Sequence, residues 1–158
     1  MDIPRQGKER ALGYRMQSHQ TVNAPAAGGA GSSIRKVLLV DDETSIVDLF
    51  GMILRNAGYF VRTALNGDAG LRLFESASWD LVITDRQMPK MDGERLAEQI
   101  KGIAPETRVI LITGISHGEF RPGLFEAVLR KPFSKAALLA LVKEVLPEGS
   151  PAALRREG

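Results

Sequence analysis

Asp41 and Asp42 stand directly after the apolar run KVLLV, Lys36 to Val40, and Asp85 directly after DLVIT, Asp80 to Thr84. Thr113 closes a third run, RVILIT from Arg108, and Lys131 follows a fourth, Ala127 to Arg130. Three carboxylates brought to one rim repel one another, and at least one has a raised pKa unless a cation sits among them. Oxygen donors without His or Cys select a hard ion, and Mg²⁺, which keeps several waters, is the expected occupant. Lys131 and Thr113 add a point positive charge and a hydroxyl donor, which an incoming phosphoryl group requires. A carboxylate can itself be the nucleophile, so the set points to phosphoryl transfer onto an Asp, assisted by a divalent metal. Singly, each residue has a plainer reading: an Asp pair after a strand often caps a helix, and a lone Lys-Pro is often a turn. Their convergence favours the chemistry.

For these residues to converge, the runs that carry them must be neighbouring parallel strands. Short continuous apolar runs are the signature of strands covered on both faces. Between them the pattern changes to helical spacing. Ile46, Val47, Leu49, Phe50, Ile53 and Leu54 recur on one face and stop at Asn56-Ala57-Gly58. Tyr59 to Ala64 reads as a second strand, and Asp68 to Glu75 as a helix with Leu71 and Phe74 on one face. Asp92 can cap a helix through Ile103, and Ser134 a last one bearing Leu138, Leu139, Leu141, Val142 and Leu146. Five strands alternating with helices and no hairpin signals imply an α/β fold with a parallel sheet wound on both faces. Such sheets bind ligands beyond the carboxyl ends of their strands, where the five residues stand.

The rest of the chain bounds the reading. At 158 residues, 44% hydrophobic and 25% charged, it has the balance of one globular domain with tails. No apolar run approaches the roughly 20 residues of a membrane span, so membrane insertion is not expected. Cysteine is absent, which excludes disulfides, zinc-thiolate sites and cysteine nucleophiles and fits a cytoplasmic setting. The net charge of +2 lies wholly before Ile34; from Ile34 to Leu146 fifteen basic residues balance fifteen acidic ones. Direct nucleic-acid binding is therefore not expected of the globular part. Residues 1–33 read as a basic arm, with a short helix around Glu9 to Gln17, ending in the linker APAAGGAGSS, Ala24 to Ser33. The domain is expected over 34–146, with a tail over 147–158.

The segments VLLVDDE (Val37 to Glu43), DLVITDRQMPKMDG (Asp80 to Gly93), VILITG (Val109 to Gly114) and KPF (Lys131 to Phe133) resemble the receiver domains of two-component response regulators. Four motifs in order, across Arg35 to about Leu146, make the match specific. The resemblance implies a flavodoxin-like five-stranded sheet of order 2-1-3-4-5. It also implies a phosphoryl group accepted from a histidine kinase or histidine phosphotransfer protein. Carried over residue by residue, Asp85 is the phosphoacceptor. Asp42 binds Mg²⁺ directly, Asp41 mostly through water, and the Gln87 carbonyl is a further ligand. Thr113 and Lys131 hold the phosphoryl oxygens, and Lys131-Pro132 is a cis peptide. Met88-Pro89 and Gly93 shape the loop after the nucleophile, where Met91 reads as packing.

The sequence departs from the family in two places. The family commonly has Tyr or Phe three residues before the strand-five Lys, where this chain has Val128, and a branched aliphatic side chain cannot swing as a ring does. Only seventeen residues separate Thr113 from Lys131, and Gly114, Gly118, Pro122 and Gly123 are among them. That is too short for two loops and a crossover helix, so a single turn or an irregular loop is expected. Phe120 and Phe125 in this loop read as core packing, with a docking surface as the alternative. His19 falls in the arm and His117 in this loop, where it reads as solvated.

The leading functional expectation is a phosphorylation-controlled module that signals to a downstream target protein or acts in a phosphorelay. The twelve residues after Leu146 are too few for a DNA-binding or catalytic output domain. A haloacid-dehalogenase-type phosphatase would keep its nucleophile in a DxDxT arrangement after the first strand, which Asp41-Asp42-Glu43-Thr44 does not match. A degenerate receiver serving as a scaffold is the third reading, and the presence of all five side chains argues against it.

Overall fold

The computed structural model describes residues 33–114 and 118–148. The basic arm with its expected helix, His19, His117 and most of the C-terminal tail lie outside the described residues. The strands are β1 (Lys36–Val40), β2 (Phe60–Ala64), β3 (Leu81–Asp85), β4 (Arg108–Thr113) and β5 (Ala127–Arg130). The helices are α1 (Thr44–Asn56), α2 (Gly67–Ser76), α3 (Gly93–Ile103) and α4 (Lys135–Val145). All strand pairs are parallel, in the order β2-β1-β3-β4-β5. This is the doubly wound, flavodoxin-like order that the motifs imply.

The uninterrupted apolar runs follow from the two covered faces. Val37 and Leu39, Leu81 and Ile83, and Ile110 and Ile112 join Val47, Leu54, Leu138 and Val142 in a core under α1 and α4. The intervening Leu38, Val40, Val82 and Val109 join Phe74, Leu96, Ala97 and Ile100 in a second core under α2 and α3. Strand alternation thus splits each run between two cores, and burying each large side chain contributes about 1.5–3 kcal/mol.

The helix starts have identifiable chemistry. The side chains of Asn66, Asp92 and Ser134 accept hydrogen bonds from the backbone N–H groups of Ala69, Arg95 and Ala137. Helix α1 differs: its cap is Glu43, with no side-chain capping bond. The Asp41-Asp42 pair is therefore not spent on capping it. Several boundaries shift by one residue, α2 among them, which runs Gly67–Ser76 rather than Asp68 to Glu75. β2 begins at Phe60 rather than Tyr59, and β3 runs from Leu81 through Asp85 because the ladder to β4 continues to the pair Asp85–Ile112. Between β4 and β5 no described residue is helical; a turn at Pro122 and Gly123 lies within irregular chain. The shortened connection behaves as its length requires.

Candidate functional site

β1 and β3 are neighbours, and the chain leaves β1 toward β2 on one side while β3 lies on the other. Their carboxyl ends therefore border the crevice where the winding reverses, the ligand position of this topology. Asp41 is 1% exposed and Asp85 7% exposed, whereas Asp42 is open to solvent. One carboxylate oxygen from each of the three lies within 4.8 Å of the others. Lys131, carried in from β5, places Nζ 3.0 Å from Asp85 Oδ1 and 3.7 Å from Asp41 Oδ2. Thr113 is buried at the end of β4, and its carbonyl accepts the Lys131 backbone N–H at 2.8 Å. The Lys131-Pro132 peptide is cis, as the resemblance implies. Gln87 is exposed in the β3–α3 loop, two residues beyond Asp85.

The loop after Asp85 is tightly set. A Cβ on Gly93 would stand 2.2 Å from the Asp85 carbonyl oxygen and 3.1 Å from the Arg86 Cα. The start of α3 thus rests on the Asp85 backbone, and only a residue without a side chain allows this approach. Gly93 N–H also donates to the Arg86 carbonyl at 2.9 Å. Met91 packs against the α2–α3 core, so its packing reading holds.

The electrostatics carry the strain expected of gathered carboxylates. Burial pushes the Asp41 carboxyl up to about 6 from an ordinary 3.8; the Glu43 backbone N–H pulls downward, and the Asp85 charge adds to the rise. Burial alone would lower the Lys131 ammonium, but its hydrogen bond to Asp85 and the charges of Asp85 and Asp41 outweigh that and hold it above its usual value. Asp41 Oδ1 accepts the Glu43 N–H at 2.9 Å, whereas Oδ2 is buried with no hydrogen-bond partner among the described residues. Lys131 Nζ, at 3.7 Å, is an ion-pair partner beyond hydrogen-bonding distance, and a buried carboxylate oxygen without a hydrogen bond costs free energy that a metal ion would offset. The donor set is oxygen only, partly charged and open on the Asp42 side, which fits a small hard divalent ion.

Residues 37–143 match the family model described as the response regulator receiver domain. The chain belongs to this receiver-domain family. The curated relatives include the Escherichia coli transcriptional regulatory protein GlrR, 37% identical over 73% of this chain but only 27% of that protein. The Bacillus subtilis alkaline phosphatase synthesis transcriptional regulatory protein PhoP is 33% identical over 71% of this chain and 48% of its own length. The chain thus spans about a quarter to a half of the curated relatives it matches. Among solved structures, a CheY-like receiver domain from Methanospirillum hungatei superposes with a TM-score of 0.69, at 31% identity, over 72% of this chain and 94% of that one. The Thermotoga maritima response regulator TrrA, solved with Mg²⁺ and beryllium fluoride, superposes at 0.66 with 32% identity, over 71% of this chain and 99% of its own.

Sequence reasoning missed Arg86 and its contact with Phe120. Its Nη2 lies 2.9 Å from Glu94 Oε1, and its Cζ sits 4.7 Å from the centre of the Phe120 ring. Phe125 does pack on the core; Phe120 instead pairs with Arg86 and meets Phe125 edge to face. The one available signal was a charged residue directly after a buried strand. Val128 lies opposite Leu111 in the ladder and is half-buried.

Proposed function

We propose that Asp85 is the phosphoacceptor of a cytoplasmic signalling module, with Thr113 and Lys131 as its partners. Asp41, Asp42, Asp85 and the Gln87 carbonyl would hold Mg²⁺. The observation that carries this reading is Lys131 Nζ at 3.0 Å from Asp85 Oδ1, beside the buried Asp41 oxygen that lacks a hydrogen bond. When bound, the metal neutralises the gathered carboxylates and the charge on the phosphoryl oxygens. Asp85 attacks phosphorus, forming the P–O bond as the P–N bond of a donor phosphohistidine breaks. Lys131, already drawn to Asp85, pairs with a phosphoryl oxygen, and the Thr113 hydroxyl donates to another. The carboxyl at the end of a buried strand is held rigidly for in-line attack.

The donor is a histidine kinase or histidine phosphotransfer protein, and the state is read by a downstream protein partner or passed on in a relay. Names of the longer relatives speak of transcription; the balanced charge from Ile34 to Leu146 supports protein rather than nucleic acid as this domain's own partner. No observation favours the phosphatase or scaffold alternatives.

With Mg²⁺ and beryllium fluoride, amide resonances around Asp85, Thr113 and Lys131 are expected to shift, with weak propagation along β5. Val128 has no ring to carry the change. A large concerted change across β5 and α4 would contradict the account of that face.

A further inference from the structure

Arg86 follows Asp85 directly and has no part in the chemistry above. Its guanidinium pairs with Glu94 through Nη2 and stacks on Phe120, while Nη1 is buried with no hydrogen-bond partner among the described residues. Phe120 and Phe125 stand edge to face with centroids 6.4 Å apart. Beyond them, Arg121 pairs with Glu98, and Glu126 with Lys101 at 2.7 Å. Glu126 also accepts the Val109 backbone N–H. Glu94, Glu98 and Lys101 recur at i, i+4 and i+7, which is one face of α3. Residues 118–126 therefore lie along α3 as a strap, tied at three points, where a crossover helix would otherwise run. At Gly118 the strap is so close that a Cβ would stand 2.9 Å from Arg86 Nη1.

We propose that Arg86 reports the phosphorylated state: it turns its unpaired N–H toward the phosphoryl group on Asp85, leaves Phe120, and loosens the strap from α3. This rests on the reading of Asp85 as phosphoacceptor. A buried guanidinium donor without an acceptor is costly and favours any arrangement that supplies one. A phosphoryl group brings three strong acceptor oxygens and nearly two negative charges to the adjacent residue, and the planar fork of Arg suits them. Glu94, a single carboxylate, competes for the same cation. The two arrangements differ in their contacts with the phosphoryl group, so phosphorylation shifts the balance between them. A cation at the end of β3 then does what Val128 on β5 cannot.

Hydrogen exchange read by mass spectrometry on the full chain, with and without Mg²⁺ and beryllium fluoride, tests the inference. In the wild-type protein the mimic is expected to protect the peptide around Asp85 and to speed exchange over 118–126 by roughly tenfold or more. Arg86→Ala is expected to exchange quickly over 118–126 in both conditions and to hold the mimic about tenfold less tightly, through the lost cationic contact. Arg86→Lys keeps the charge without the fork and is expected to fall between the two, which guards against misfolding of the alanine variant. Bound mimic with unchanged exchange over 118–126, or a mimic-dependent change that survives in Arg86→Ala, overturns the role of Arg86 alone. Failure of the wild-type chain to bind the mimic overturns the phosphoacceptor reading as well.

Discussion

Asp41 is where the tension of the site is concentrated. Its carboxyl, held near 6, keeps a proton in the folded chain that the unfolded chain has released above about pH 4. The stability this contributes is fully present below about pH 4 and is lost as the pH rises through about 6, an effect on the order of 3 kcal/mol. Metal-free wild-type protein should therefore lose stability relative to Asp41→Asn as the pH is raised from about 5 to 7. Paired urea titrations check this, and at pH 7 Asn should be the more stable by about 1–3 kcal/mol. Equal pH dependence in the two proteins would contradict it. The carboxylate that destabilises the metal-free fold is one whose charge a bound cation would offset. The position was legible in the sequence, because three acids at strand ends already require one raised pKa. Which of the three bears it was not, since that depends on Asp41 being buried and Asp42 exposed.

At the scale of elements, the strands were legible because a sheet covered on both faces needs unbroken apolar runs. The ends were less so: Asp85 reads as a residue after the strand, but pairing with Ile112 keeps it within β3. Caps at Asp92 and Ser134 were visible as residue types. The α1 start was not, because Asp41 turns its Oδ1 to the Glu43 N–H instead of capping. That no described residue between β4 and β5 is helical followed from chain length, whereas the ties along α3 did not. Glu94, Glu98 and Lys101 at helical spacing read equally well as a solvated face. The contact between α3 and β3 gives a sharp test. Gly93→Ala forces a Cβ onto the Asp85 carbonyl oxygen and is expected to cost about 2 kcal/mol or more in denaturant unfolding. Because the clash falls on Asp85, the proposed phosphoacceptor, the yield of phosphorylated protein should fall with it. A variant as stable as wild type would mean that the α3 start is not seated on β3 as described.

For the molecule as a whole, binding at the carboxylate rim should stabilise the fold, since the unfolded chain does not gather these groups. Mg²⁺ at about a hundred times its dissociation constant should add about 2.7 kcal/mol at neutral pH, seen as a higher thermal midpoint. Asp41→Asn should largely lose that increment. No helix among the described residues is long and apolar enough to cross a membrane. The matched span, 37–143, is the part of longer regulators that receives a signal, so the whole account turns on whether this chain can be phosphorylated, and where. Intact-mass spectrometry after incubation with acetyl phosphate and Mg²⁺ measures this most directly. The wild-type chain should gain a single phosphoryl adduct, lost on treatment with EDTA before the reaction and absent in Asp85→Asn. No adduct on the wild-type chain, or an equal one on Asp85→Asn, would contradict the account.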